Sequence, residues 1–240
     1  MGHESREVQE LRELADFERV ANADGFISIG GFGSLLSEKS ARYTFPDLRD
    51  FRVAKLNGFR RIFGHTAPIF FERGIANLET KEISSLSVEP CHGESILITV
   101  FEIYLSEIPA FMEREHEFRF LMVFPEYQDK ALASQPAVVC ARYSDEEYFD
   151  HRCKGSKDEF FKRYGRFGIE RVWRDDIFPC RLYLRHCVLA AQNLGTDVLY
   201  NFLDHTYLGD RITTIRQYLE IHPQIMQEEP PPLLKERYGG

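Results

Sequence analysis

The stretch "SIGGFGS", Ser28 to Ser34, places three glycines within four residues directly after the apolar run Phe26–Ile29. A chain that gives up three side chains there must turn sharply, or let something approach its backbone closely. The apolar run reads as a strand and "SLLSEKSAR" as the start of a short helix, so the glycines sit in a strand–turn–helix junction. In such a turn, successive N–H groups can form an electropositive concavity suited to a carboxylate or a developing oxyanion. A tight turn with no ligand is the plainer alternative.

The familiar glycine-loop chemistries fit poorly. Gly31-Phe32-Gly33-Ser34-Leu35-Leu36 supplies two glycines of G-x-G-x-x-G but places Leu36 at the third position. Asp50 has the spacing of a ribose-binding acid, yet it closes the turn-like "TFPDLRD". No Gly-Lys-Ser/Thr follows, and Ser34 lacks the G-x-S-x-G frame of a hydrolase elbow.

A second stretch carries a carboxylate where a hydrophobe is due. In "SEIPAFMEREHEFRF", Ser106 is a suitable N-cap and Pro109 is tolerated in a first turn. At about 100° per residue, Ile108, Phe111 and Met112 form an apolar stripe that Glu115 completes, with Phe118 beside it. Glu113 and Glu117 are expected to point away. Burial would raise the pKa of Glu115 and suit it to general acid/base work, whereas a helix frayed after Arg114 would leave it solvated.

Elsewhere, residues 5–21 carry a helical apolar period, and "FRVAKL-NG-FRRIF" reads as a β-hairpin turning at Asn57-Gly58. Strands are expected around Ser85–Val88, Ile96–Leu105, Phe120–Phe124 and Ala137–Tyr143. Ser144-x-x-Glu147 and Ser156-x-x-Glu159 read as capping boxes. From Cys180 the pattern is helical, with Gly195 as a break and a last helix near Thr213–Glu220. Strands first and helices later indicate an α+β domain over residues 23–221, preceded by a helix at 1–22. The proline-rich tail at 222–240 reads as loosely ordered.

A net charge of −8 argues against nucleic acid as a partner. No apolar stretch reaches the length of a membrane span, and the N-terminus lacks a signal core, so a cytoplasmic protein is expected. The five cysteines form no C-x-x-C pair, which fits reduced thiols. His151-Arg152-Cys153 and Cys91-His92 come nearest to ligand spacing and read as scattered polar residues, so no metal is expected.

Together, the two informative stretches resemble the γ-glutamylcyclotransferase family, closest to its glutathione-degrading branch. The family's Y-G-S-N/L signature corresponds to Phe32-Gly33-Ser34-Leu35, with phenylalanine in place of tyrosine. Its L-x-x-R-E segment, followed by an aromatic, corresponds to Phe111-x-x-Arg114-Glu115 with Phe118 or Phe120. "LNGFRRIF" resembles its G-[YF]-x-R-x-F strand, and "FLDHTYLGDR" a helix near the substrate. The similarity runs over roughly residues 26–125; the stretch from Pro125 to Cys180 looks enlarged.

The resemblance implies a small mixed β-barrel or sheet flanked by helices, with a helical C-terminal region. It also implies a cofactor-free conversion of a γ-glutamyl substrate to 5-oxoproline. Glu115 would be the acid/base, and Gly31, Phe32, Gly33, Ser34 and Leu35 would hold the γ-glutamyl group. Arg60 or Arg61 would meet a substrate carboxylate; strand alternation lets only one face inward, and Arg61 is carried forward as the candidate. Two other functions compete: a small-molecule-binding or regulatory protein on the same fold, and a nucleotide-dependent oxidoreductase favoured only by Gly31 and Gly33. The sequence does not specify an oligomeric state.

Overall fold

In the computed structural model, residues 8–127 and 133–239 are described. Their frame is one mixed sheet of eight strands: β1 (Gln9–Leu11), β2 (Phe26–Gly31), β3 (Arg49–Thr66), β4 (Glu82–Tyr104), β5 (Arg119–Val123), β6 (Ala137–Ala141), β7 (Phe178–Pro179) and β8 (Thr206–Tyr207). The strand order is β1-β5-β6-β2-β4-β3-β8, with β7 on β4. All six residues of β2 are buried, as a strand central to the sheet and covered on both faces requires. It pairs antiparallel with β4 and parallel with β6.

Helices cover the sheet: α1 (Leu14–Val20), α2 (Glu38–Thr44), α3 (Pro68–Glu72), α4 (Ile108–Arg114), α5 (Asp145–Glu147) and α6 (Lys157–Arg163). The C-terminal part adds α7 (Arg181–Asn193), α8 (Thr196–Asp204), α9 (Ile215–Ile221) and α10 (Lys235–Tyr238). This is the expected α+β class, a mixed sheet flanked by helices with a helical C-terminal region. Ser144 and Ser156 cap α5 and α6 by accepting from Glu147 and Glu159 N–H, and Gly195, at φ 116°, separates α7 from α8. No helix among the described residues is long and apolar enough to cross a membrane.

Three expectations are corrected. Asn57-Gly58 makes no hairpin: β3 runs on through it, and both halves pair with β4, Asn57 opposite Ser95 and Phe59 opposite Pro90. Gly58 takes φ 78° at a register shift, and β4 answers with four unpaired residues, Cys91–Glu94. The left-handed backbone that favours Asn-Gly in a hairpin also favours it in a bulge.

The N-terminal helix is shorter than expected, because Gln9–Leu11 joins the sheet edge against β5. The Asp16 carboxylate then accepts from Arg12 and Glu13 N–H and sets the start of α1. Residues 5–7 of that expected helix lie outside the described residues.

The proline-rich tail, finally, is packed. Ile225 and Tyr238 are buried, and α10 lies against α7.

Candidate functional site

β2 leaves the sheet at Gly31. β6 pairs with β2 only as far as Ile29 and Val138, and further along it meets β4 instead, at Val88 and Ala141. The glycines answer the question their spacing raises: none has positive φ, and the constraint is close approach. A Cβ on Gly31 would lie 2.6 Å from Thr99 Oγ1 and 2.7 Å from Leu35 Cβ; one on Gly33 would lie 2.6 Å from the Tyr183 hydroxyl. Thr99 fastens the turn by donating to Leu35 O at 2.8 Å. Leu36 and Ser37 N–H close it onto Gly33 and Ser34 carbonyls. Among the described residues, no backbone acceptor takes the Phe32 or Gly33 N–H.

Gly31, Phe32, Gly33, Ser34 and Leu35 line one wall of a cavity of about 750 Å³. Glu115 lines the same cavity. It arrives there differently from the periodic expectation, because α4 ends at Arg114 and Glu115 is its C-cap, with φ −98° and ψ 37°. The chain then turns, Phe118 N–H bonding Glu115 O at 3.1 Å. Leaving the helix does not solvate Glu115: its side chain is 16% exposed, with Arg114 Nε 3.0 Å from the carboxylate.

That turn also corrects the expectation for Glu117. It faces the cavity, 16% exposed, with His65 Nε2 at 3.6 Å. Glu113 reaches the rim, where it is 67% exposed and paired with Arg163.

The electrostatics single out Glu115. Burial raises its carboxyl above the ordinary 4.5, the neighbouring Glu117 charge adds to the rise, and Arg114 opposes it. The other titratable groups of the wall are less suited to proton transfer near neutrality. Burial pushes His116 and His186 down to about 4, leaving both imidazoles neutral. Cys140 is pushed well up by burial and stays a thiol, which argues against a cysteine nucleophile.

Arg61 is not in the cavity. It is fully buried behind the turn, where Nε donates to Phe32 O at 3.0 Å and Nη1 to Asn201 Oδ1 at 3.2 Å. A further bond goes from Nη2 to Leu97 O. The inward face of the strand is thus the core face, and Arg61 fastens the turn from behind. Arg60, on the opposite face, pairs with Glu89 at 2.6 Å.

Sequence reasoning missed Tyr183 and the C-terminal pair Arg237 and Tyr238, all in the cavity wall. Tyr183 is buried, and that burial raises its pKa well above 10. Neither residue type nor local spacing marks these positions; only long-range packing brings them in. Among the described residues, no group of three His, Cys, Asp or Glu side chains is placed to hold a metal.

The sequence matches no protein-family model, and no curated protein matches it. Among solved structures, a gamma-glutamyl cyclotransferase superimposes with TM-score 0.40 at 15% identity, covering 63% of this chain and 90% of its own. An uncharacterized protein from Homo sapiens gives 0.40 at 16% identity, with 63% and 90% coverage. A protein from Arabidopsis thaliana gives 0.38 at 13% identity, with 59% and 89% coverage.

Proposed function

We propose that the protein is a γ-glutamyl cyclotransferase, working in the cytoplasm without a cofactor. Its substrate is a γ-glutamyl peptide or amine, such as glutathione or a γ-glutamyl amino acid. The observation that carries this reading is the pairing, in one cavity, of the Gly31–Leu35 turn with Glu115, whose pKa burial raises.

The reaction is an internal acyl transfer. Glu115 takes a proton from the substrate's α-ammonium, and the freed amine attacks its own γ-carbonyl. The N–C bond that forms closes the five-membered ring, and the carbonyl electrons move onto oxygen. The turn's N–H groups at Gly33 and Leu35 stabilise that oxyanion. As the oxyanion collapses, the original amide C–N bond breaks and Glu115 returns its proton to the leaving nitrogen; the ring nitrogen then gives up its surplus proton through the same carboxylate, so the amine departs as an ammonium. Products are 5-oxoproline and the free amine, and no water is consumed. Because nucleophile and electrophile share one molecule, the protein's main contribution is orientation.

A second reading, a binding protein that retains the cavity, is favoured by the Arg114–Glu115 ion pair, whose guanidinium engages the carboxylate and opposes the rise of its pKa. One experiment separates the two. Purified protein is incubated with glutathione and a panel of γ-glutamyl dipeptides, and 5-oxoproline is sought by mass spectrometry. Its appearance supports the enzyme; tight binding of glutathione with no 5-oxoproline supports the binding protein.

A further inference from the structure

The rim of the cavity is cationic and incompletely paired. Two of its acids are already engaged, Glu72 by Arg166 at 2.5 Å and Glu113 by Arg163 at 2.9 Å. Glu115 accounts for Arg114. That leaves Lys162, Arg73 and Arg237, none of which makes a carboxylate ion pair among the described residues, and the two arginines are close enough to repel each other. Arg73 donates to the Tyr238 hydroxyl, and Arg237 donates to Ser40 O at 3.3 Å. Burial lowers the pKa of Arg237, and the nearby Arg114 and Arg73 charges lower it further, so the three guanidiniums repel one another. Half-buried like charges of this kind are costly unless an anion completes them.

The position of Arg237 indicates which anion. Its guanidinium lies 5.2 Å from the centre of the Tyr43 ring, and Tyr43 is 66% exposed, so this end of the cavity opens to solvent. On the reading above, the turn and Glu115 take the γ-glutamyl end of the ligand, and the released-amine end extends toward this mouth. The next residue, Tyr238, is buried, with its ring centre 5.8 Å from that of His186, and anchors Arg237 in place.

We infer that Arg237, with Arg73 beside it, binds a carboxylate on the released-amine side of the substrate. The C-terminal segment thereby selects γ-glutamyl amino acids and peptides over γ-glutamyl amines. The inference rests on the proposed γ-glutamyl chemistry, and the packed tail becomes part of the specificity apparatus. An arginine suits the task because its fork can donate two parallel bonds to one carboxylate.

The test compares γ-glutamylalanine with γ-glutamylethylamide, which differ only by that carboxylate. Wild type is expected to show a KM for the dipeptide about tenfold or more below that for the ethylamide. Arg237→Gln should raise the dipeptide KM about ten- to hundredfold and leave the ethylamide KM where it was, while any change in kcat from losing the Arg237 charge near Glu115 should be the same for both compounds. Arg237→Lys, which keeps the charge but loses the fork, should fall between. Equal wild-type KM values overturn the inference without any variant. An Arg237→Gln effect on KM of the same size for both compounds overturns it too.

Calorimetry with the same two ligands separates this inference from the catalytic reading. If no 5-oxoproline forms but γ-glutamylalanine binds in an Arg237-dependent way, catalysis is refuted and the inference stands. If both compounds turn over and Arg237→Gln changes neither, the inference fails and catalysis stands. Failure of wild type to bind either compound overturns both.

Discussion

Glu115→Gln is the most informative perturbation. The amide keeps the size of the side chain but cannot accept the proton of the α-ammonium. Loss of a positioned acid/base costs about 10²–10⁴ in turnover, equivalent to roughly 2.7–5.4 kcal/mol of barrier. The structural cost is much smaller. The Arg114–Glu115 pair lies between side chains 30% and 16% exposed, and Arg114 keeps a second bond to Thr44. A pair of this kind contributes on the order of 1 kcal/mol at most, a Tm change of about 2–4 °C for a chain this size.

The same variant should also reshape the pH dependence of stability. Because burial raises the folded-state pKa of Glu115, the native protein holds this proton more tightly than the unfolded chain does. That contribution is fully present below the ordinary value of 4.5 and is lost as pH rises through the raised pKa. Glutamine has no proton to lose, so the Tm of the variant relative to wild type should climb across that window. The assay pairs 5-oxoproline formation with scanning calorimetry from pH 4 to 8. Wild-type turnover by the variant would refute Glu115 as the acid/base. A relative Tm that stays flat or falls with pH would refute the burial argument.

Further outcomes follow from other positions. Arg61→Met should destabilise the fold by about 3 kcal/mol or more, since it strips carbonyl partners from a buried site; a KM effect at unchanged Tm would return Arg61 to the substrate. Gly31→Ala should lower Tm by the equivalent of about 1–3 kcal/mol, because its Cβ meets Thr99 and Leu35 at under 3 Å; a wild-type Tm would show that the turn is not tightly packed there. Burial holds His116 down at about 4, so its contribution to stability is present above 6.5 and lost as pH falls toward 4. Replacing His116 by Gln should flatten chemical-denaturation stability across that interval.

The elements most legible in the sequence were those with local causes. Ser144 and Ser156 announce their helices because a cap is a short-range hydrogen bond, and Phe26–Ile29 announces a central strand because both faces are apolar. For Glu115 the periodic argument reaches the cavity by an incomplete route. The helical period fails at Arg114, yet the turn that follows keeps Glu115 in the cavity and brings Glu117 in as well. Asn57-Gly58 misled because one backbone preference serves both a hairpin and a bulge, and only the pairing of each half with β4 decides between them. Arg61 and Arg60 differ by one step of strand alternation, whose phase a single sequence does not fix. The tail reads as solvent-loving by composition; Ile225 and Tyr238, too sparse to form a period, are enough to hold it down.

The hidden guanidinium of Arg61 has a consequence for binding entropy. A glycine-rich turn is normally the most mobile part of a pocket, and ordering it would be charged against each ligand that arrives. Here the ordering is done in advance, during folding, by an arginine that never meets the ligand. Its bonds to Phe32 O, Leu97 O and Asn201 join the turn, the centre of β4 and helix α8 into one rigid piece. The Leu36 and Ser37 amides that close the turn onto the Gly33 and Ser34 carbonyls should therefore exchange with solvent as slowly as core strand amides even in the empty protein. Asn201, on the far side of the arginine from the cavity, should be as damaging to mutate as a residue in the turn itself.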